Sequence, residues 1–357
     1  MPRGRPKGSK NNNSQHSEQS EITNNKKAEE LKDAVDLIDS LDKKIFGEIV
    51  LKEEKKIELT KEQLEKQEKL KRIMTEINKE YKDPEMCKFA KDEPSKESVY
   101  FGHKQLDDFL GGGAVYGNFV IFWGDVGTGK TTLALMQIAQ AQKMGKICAY
   151  LDLEHTLDKE RMKLFGVNVE NLVLIENCES AEQAMNIVIR LAKEKVVDLI
   201  VIDSIQAMST REEQVSGKGE KIRSMEEAEM ASLAKKMGKF LRRTATPIYK
   251  AKIAVLMIGQ ARTGGLGTFI TKDELTGGRA IKFWAIMLVY MRKGQGVDSP
   301  TEKIELDELD EKGNSKWEEI KIGFSTVLII QKTKKGNSKP ELSELRIPYY
   351  FSTGFVK

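Results

Sequence analysis

FVIFWGDVGTGKTTL, residues Phe119–Leu133, joins a strand-like run to a helix-like run through a glycine-rich loop. The apolar, β-branched and aromatic residues stop at Gly124, and Gly124–Thr131 fits the pattern GxxxxGKT. Such a unit cradles a nucleoside triphosphate. Its glycines let backbone N–H groups turn inward, Lys130 reaches the β- and γ-phosphates, and the Thr131 hydroxyl meets Mg²⁺. The candidate cradle is therefore Gly124, Asp125, Val126, Gly127, Thr128, Gly129, Lys130, Thr131 and Thr132. Both flanks have the required context, because Lys130–Met144 carries Leu133, Met136 and Ala139 at helical spacing.

Around this stretch the chain has 357 residues, enough for one full core and an appended segment. Charged residues make up 32% with a net charge of only +4, so nucleic-acid binding has to come from local clusters. Cys87, Cys148 and Cys178 show no CxxC spacing, and His16, His103 and His155 are scattered, which argues against a structural zinc site and fits a reducing cytoplasm. No apolar run is as long as a membrane span, and the first residues are polar where a signal peptide is apolar, so the expectation is a soluble intracellular protein.

Upstream, residues 1–25 are polar and aperiodic and read as a disordered tail. The tail opens with Pro2-Arg3-Gly4-Arg5-Pro6-Lys7, which resembles an AT-hook, Arg3 and Arg5 lying along a narrow A·T-rich minor groove; a generic basic tail fits the same residues. Residues 26–98 read as a helical extension and linker. Leu31, Val35, Ile38 and Leu41 recur at helical spacing, as do Leu70, Ile73 and Ile77, with a break near Gly47 and a stop at Asp83-Pro84. The second piece, about residues 62–82, is either a solvated helix or one that docks on a neighbouring subunit.

Downstream, residues 99–357 form the core. A short helix in Phe101–Leu110 closes on Gly111-Gly112-Gly113. Strands follow at Lys146–Leu153, Leu172–Ile175, Val197–Asp203 and Ile253–Gln260, alternating with helices at Leu157–Phe165 and Ser180–Glu194. That alternation implies an α/β fold with a mostly parallel sheet covered on both faces, whose ligands bind at the carboxyl ends of its strands. Gly124, Glu154, Asp203 and Gln260 all fall there. Asp203 suits the Mg²⁺ shell. Glu154 suits a group that orients or deprotonates water, although a surface acid reads the same way. Gln260 is an uncharged partner for a γ-phosphate, or a plain strand-end amide. Two loops combine glycine and basic residues: Thr210–Arg223, with Arg211, Lys218, Lys221 and Arg223, and Ala261–Gly278, with Arg262, Gly264, Gly265, Lys272 and the aromatic Phe269. Both suit backbone tracking of single-stranded DNA, and both suit solvated loops.

YLDLEHTLD (Tyr150–Asp158), VDLIVIDSIQAM (Val197–Met208), IGQAR (Ile258–Arg262) and LTGGRAIKFW (Leu275–Trp284) resemble, in order and spacing, the motifs of RecA recombinases, especially divergent phage-type members. The resemblance runs from about Glu62 to Lys357. It implies a RecA-like P-loop ATPase core that binds ATP and Mg²⁺ between subunits, polymerises as a helical filament on single-stranded DNA and exchanges strands with homologous duplex DNA. The setting it implies is the cytoplasm of a bacterium or of a phage-infected host, where mediator or single-strand-binding proteins are candidate partners. It makes Glu154 the activator of the hydrolytic water and Gln260 the link from γ-phosphate to the second DNA-binding loop, with Arg262, Phe269, Gly277 and Gly278 in the DNA-binding set. Thr210–Arg223 becomes the first such loop. Lys332 and Lys334 become lysines that reach a neighbour's ATP, Lys282 and Phe283 a subunit interface, and helix Glu62–Lys82 the polymerisation helix. Asp158 and Arg161 are assigned to nucleotide binding, with Arg161 standing where bacterial members commonly carry an aromatic.

Two further departures are a hairpin through Lys303–Leu309 and Lys316–Ile322 around Lys312-Gly313-Asn314, and a chain that stops soon after a last strand at Glu344–Tyr349, leaving no counterpart of the bacterial C-terminal domain. A hexameric RecA-fold helicase shares the strand-end chemistry, and a weakly hydrolysing recombination mediator is the non-enzymatic rival.

Overall fold

The computed structural model describes residues 60–208, 225–263, 273–275, 278–294, 299–309 and 315–355. Arg3, Arg5 and residues 26–59 lie outside the described residues, as do Arg211, Lys218, Lys221, Arg223, Gly264, Gly265, Phe269, Lys272, Gly277 and the turn at Lys312-Gly313-Asn314. Contacts divide the chain into two units, before and after the Glu93–Pro94 junction.

In the first unit, helix α1 (Lys61–Glu80) starts at a capping box. The Gln63 N–H donates to Thr60 Oγ1 and the Thr60 N–H to Gln63 Oε1, which satisfies two of the amides that a helix start leaves without partners. None of its side chains is buried, and Leu70 and Ile73 are exposed.

The second unit begins with α2 (Lys104–Leu110), closed by left-handed Gly111, and continues through β1 (Phe119–Gly124), α3 (Lys130–Lys143), β2 (Cys148–Asp152), α4 (Lys159–Leu164) and β3 (Leu172–Ile175). It goes on through α5 (Ala181–Glu194), β4 (Leu199–Asp203), α6 (Met225–Ala251), β5 (Ala254–Thr263), β6 (Asp273–Leu275), α7 (Gly278–Trp284) and β7 (Ala285–Lys293). A hairpin of β8 (Thr301–Leu309) and β9 (Ser315–Lys321) precedes β10 (Gly323–Thr333) and β11 (Glu344–Tyr350). The main sheet runs β11-β10-β7-β1-β5-β4-β2-β3, parallel from β7 to β3, with β10 and β11 antiparallel.

β1, β2 and β4 are buried along their whole lengths. Their alternate side chains feed two cores. Val120 and Phe122 join α2 and α3 on one face, while Ile121 and Trp123 join α5, α6 and α7 on the other. Each buried Val, Leu, Ile or Phe contributes about 1.5–3 kcal/mol, which makes this layer the rigid support of the strand ends.

α6, β6, α7, β7 and β10 escape the sequence reading. α6 spaces Leu233, Met237, Phe240, Leu241 and Ile248 on one face, but contains Pro247, ordinarily a helix breaker. β7 follows α7 without an intervening loop, so no turn residue marks its start. β5 also extends three residues beyond Gln260, because β6 supplies a partner for Ala261, Arg262 and Thr263.

Candidate nucleotide site

The carboxyl ends of β1, β2, β4 and β5 converge on the loop between Gly124 and Lys130. Gly124 has φ 142°, and a Cβ there would overlap the Met291 carbonyl oxygen of neighbouring β7, so only glycine lets the chain leave the sheet here. Lys130, at the start of α3, is buried, and its ammonium donates to the carbonyls of Gly124 (3.1 Å) and Asp125 (2.5 Å). Burial pushes this lysine down to about 8, against the pull of Asp203, Asp125 and Glu154.

Next to it, Thr131 Oγ1 donates to Asp203 Oδ2 (2.8 Å), which also accepts from the Tyr150 hydroxyl (2.6 Å). Burial pushes the Asp203 carboxyl up to about 6 although both donors favour its charged form, and it pushes the Tyr150 phenol well up. A hydroxyl and a carboxylate in contact form an oxygen donor pair suited to a hard cation such as Mg²⁺.

Glu154 sits just past β2, on a turn built by Asp152. That carboxylate accepts the N–H groups of Glu154 (3.2 Å), Thr156 (3.4 Å) and Leu157 (3.0 Å). Glu154 Oε1 in turn accepts from Gln260 Nε2 (2.7 Å) and from the Ser204 hydroxyl, while the Gln206 side-chain amide donates to the Gln260 carbonyl (2.7 Å). One network thus ties the ends of β2, β4 and β5 together. On the other flank, Arg161 Nη2 donates to Thr132 Oγ1 (3.3 Å) and to the Tyr349 hydroxyl (3.1 Å), and its guanidinium lies 5.6 Å from the Phe165 ring. Asp158 caps α4 by accepting the Arg161 N–H (3.0 Å). Val126 is exposed, and the Thr128 hydroxyl bonds back to the Asp125 carbonyl.

A family model for the RecA N-terminal domain matches residues 68–311. The chain belongs to the RecA family of recombinases. It is 36% identical over 236 residues to Protein RecA of Mycoplasma mobile, covering 65% of this chain and 69% of that protein. It is 33% identical over 237 residues to Protein RecA of Gloeobacter violaceus (66% and 62% covered) and 34% over 242 residues to that of Petrotoga mobilis (67% and 64%). About a third of each of these relatives therefore lies outside the match.

In this RecA-family chain Lys332 and Lys334 do not join Lys130. β10 runs antiparallel to β7, so its end lies at the amino ends of the parallel strands, the pole away from the phosphate loop. There the Lys332 ammonium donates to the carbonyls of Lys282 (2.5 Å) and Phe283 (2.9 Å), at the end of α7, and Lys334 Nζ lies 6.0 Å from the exposed Phe283 ring. Arg262 continues β5 and pairs with Glu274, while Gly278 opens α7 with φ 76°.

Tyr150, Asp152, Ser204, Gln206 and Tyr349 are absent from the sequence-based site. Alternation offered a signal for two of them, since Tyr150 and Asp152 share one face of β2. Tyr349 comes from β11, more than two hundred residues after the phosphate loop, and carries no local signal.

Proposed function

We propose that this chain is a DNA-dependent ATPase of homologous recombination that polymerises on single-stranded DNA, hydrolyses ATP between subunits and exchanges strands with homologous duplex DNA. The observation that carries this reading is the Glu154–Gln260 hydrogen bond. It sits at the mouth of the phosphate loop, and Gln260 belongs to the strand that β6 extends toward residues 264–272. A γ-phosphate entering beside Lys130 would compete for the Gln260 amide, release Glu154 to orient water, and pull on β5. Nucleotide state would then be transmitted to a segment rich in glycine and basic residues, suited to DNA.

The Lys130 ammonium exchanges loop carbonyls for phosphate oxygens, and the loop amides complete the cradle. Asp203 and Thr131 would hold Mg²⁺, which supplies charge neutralisation for the phosphates. Arg161, Tyr349 and Asp158 border the nucleoside side of the cradle. Lys332 and Lys334, at the far pole, would serve the ATP of an adjoining copy, so each site draws on two chains stacked head to tail, with Lys282 and Phe283 at the junction. Basic side chains at 211–223, with Arg262, Phe269 and Lys272, would face the DNA. Among the described residues no helix is long and apolar enough to cross a membrane, and we place the chain in the cytoplasm of a bacterium or phage-infected cell, alongside mediator or single-strand-binding proteins.

Electron microscopy of the chain with long single-stranded DNA and a non-hydrolysable ATP analogue tests the reading. A continuous helical filament is expected. Closed rings would transfer the chain to the hexameric helicases, and bound protein without polymer to the mediators.

A further inference from the structure

Gln206 is half-buried, and its side chain is committed to a main-chain atom. Among the described residues β4 and β5 pair only from Leu199 opposite Ala254 to Ile202 opposite Met257, whereas β1 stays paired with β5 as far as Gly124 opposite Gln260. The end of β5 has thus lost its β4 partner by the residue whose amide meets Glu154. There the Gln206 amide stands in for the missing ladder bond, Nε2 donating to the Gln260 carbonyl (2.7 Å). A carbonyl only accepts, so the amide nitrogen has to face it, and Oε1 is turned away. That oxygen is buried with no hydrogen-bond partner among the described residues. Unpaired buried acceptors are uncommon, and this one leaves the amide a second bonding position to fill.

The contact also closes a circuit of hydrogen bonds around Glu154. Its Oε1 accepts from the Ser204 hydroxyl and from Gln260 Nε2 (2.7 Å), and Gln206, just past Ser204, returns from the Gln260 main chain to the end of β4. Gln206 lies in a 3₁₀ turn, Ile205–Ala207, whose Ile205 belongs to one buried apolar cluster with Met208 and with Leu233 and Met237 of α6. Close-packed groups pass a displacement on where a loose segment absorbs it. Met208 leads in sequence to residues 209–224, and Thr263 to residues 264–272, the two segments for which a DNA-binding role is proposed above. Gln206 therefore joins the root of one to the root of the other.

We propose that Gln206 is a positioning residue of the ATP response, carrying a shift of the Gln260 main chain into the turn after β4, so that residues 209–224 answer the nucleotide together with residues 264–272. The inference rests on the reading above in which a γ-phosphate draws the Gln260 amide from Glu154. Gln260 alone lies on β5 and bears on the segment that β5 enters. With the Gln206 bond in place, a pull on β5 is also a pull on the turn, and the unpaired Oε1 gains from any movement that brings it a donor. Gln206 acts through Gln260 and makes no contact with the nucleotide in this scheme.

Hydrogen–deuterium exchange of the full chain, with and without a non-hydrolysable ATP analogue and in the absence of DNA, tests this. In the unaltered chain the analogue should change exchange at both segments. Gln206→Met keeps the volume and loses the amide donor, so the change at residues 264–272 should persist while that at residues 209–224 shrinks by about tenfold, the scale on which a single hydrogen bond acts. Gln206→Glu, which sets a carboxylate against the Gln260 carbonyl, should do the same and guards against a packing defect peculiar to methionine. Melting temperature and nucleotide affinity should match those of the unaltered chain. If a variant keeps the response at residues 209–224, the coupling is wrong and the Gln260 reading stands. If a variant loses both responses together with nucleotide affinity, Gln206 only holds the site in shape, and the coupling is wrong again. If the unaltered chain shows no response at residues 264–272, or Gln260→Met leaves that response intact, the Gln260 reading falls and takes the coupling with it.

Discussion

At the scale of single residues, Asp203 sets the pH response of the site. Burial pushes its carboxyl up to about 6, so the folded chain without nucleotide favours the protonated form more than the unfolded chain does. That contribution to stability is complete below the ordinary carboxylate value of about 4 and is lost as pH rises through about 6. In the proposed Mg²⁺ role the carboxylate has to be ionised, so the cation would compete with the same proton. Mg²⁺-dependent nucleotide affinity should therefore fall as pH is lowered through about 6, and Asp203→Asn should bind weakly at every pH; nucleotide titrations between about pH 5 and pH 8 measure both. Glu154→Gln keeps an acceptor for Gln260 and Ser204 but removes the carboxylate that we propose as the base, so ATP turnover should drop by about 10²–10⁴-fold while filaments on single-stranded DNA persist. Normal turnover in a phosphate-release assay would remove Glu154 from its role. Both acids were legible in the sequence because each ends an apolar strand run. The tyrosine and threonine that hold Asp203 come from separate elements, and their convergence on one oxygen depends on β2 lying beside β4.

At the scale of elements, the phosphate loop and helix α4 are held by different means. The loop's conformation is enforced by the close approach of β7 at Gly124, whereas α4 depends on its cap. Replacing the Asp158 side chain, which accepts the Arg161 N–H, by alanine should cost about 1 kcal/mol in denaturant unfolding. Asp158→Ser, which retains a capping oxygen, should recover most of that loss. Nucleotide affinity measured on the serine variant then separates capping from direct contact, with weakened binding expected if the carboxylate also meets the nucleotide. Strands were easier to place from sequence than the long helix, since an unbroken apolar run ending in an acid or glycine is a local signal. α6 spreads its apolar face, Leu233 to Ile248, over about four turns and carries a proline, and its identity is settled by packing against α5 and α7, contacts that no local window contains.

At the scale of the whole molecule, the fold class could be read from strand-helix alternation, and the order of the strands could not. That β1 lies between β5 and β7 follows from crossovers joining residues more than a hundred positions apart. The tail at residues 1–25 belongs to this scale as well. Its removal should weaken affinity for duplex DNA, most on A·T-rich sequences, in fluorescence anisotropy at fixed salt, and equal affinity on all duplexes would dismiss the AT-hook resemblance. The Lys332 ammonium, lodged on the last carbonyls of α7, connects these scales. A cation at that end of a helix offsets the negative pole of the backbone dipole. If the same ammonium turns outward to an adjoining chain's phosphates, α7 gives up its terminal counterion, and the first residue of that helix, Gly278, follows in sequence on the segment for which we propose a DNA-binding role. Occupancy of one ATP site would then be registered as strain in the next molecule's helix, and the lysine would be a toggle that cannot serve both positions at once.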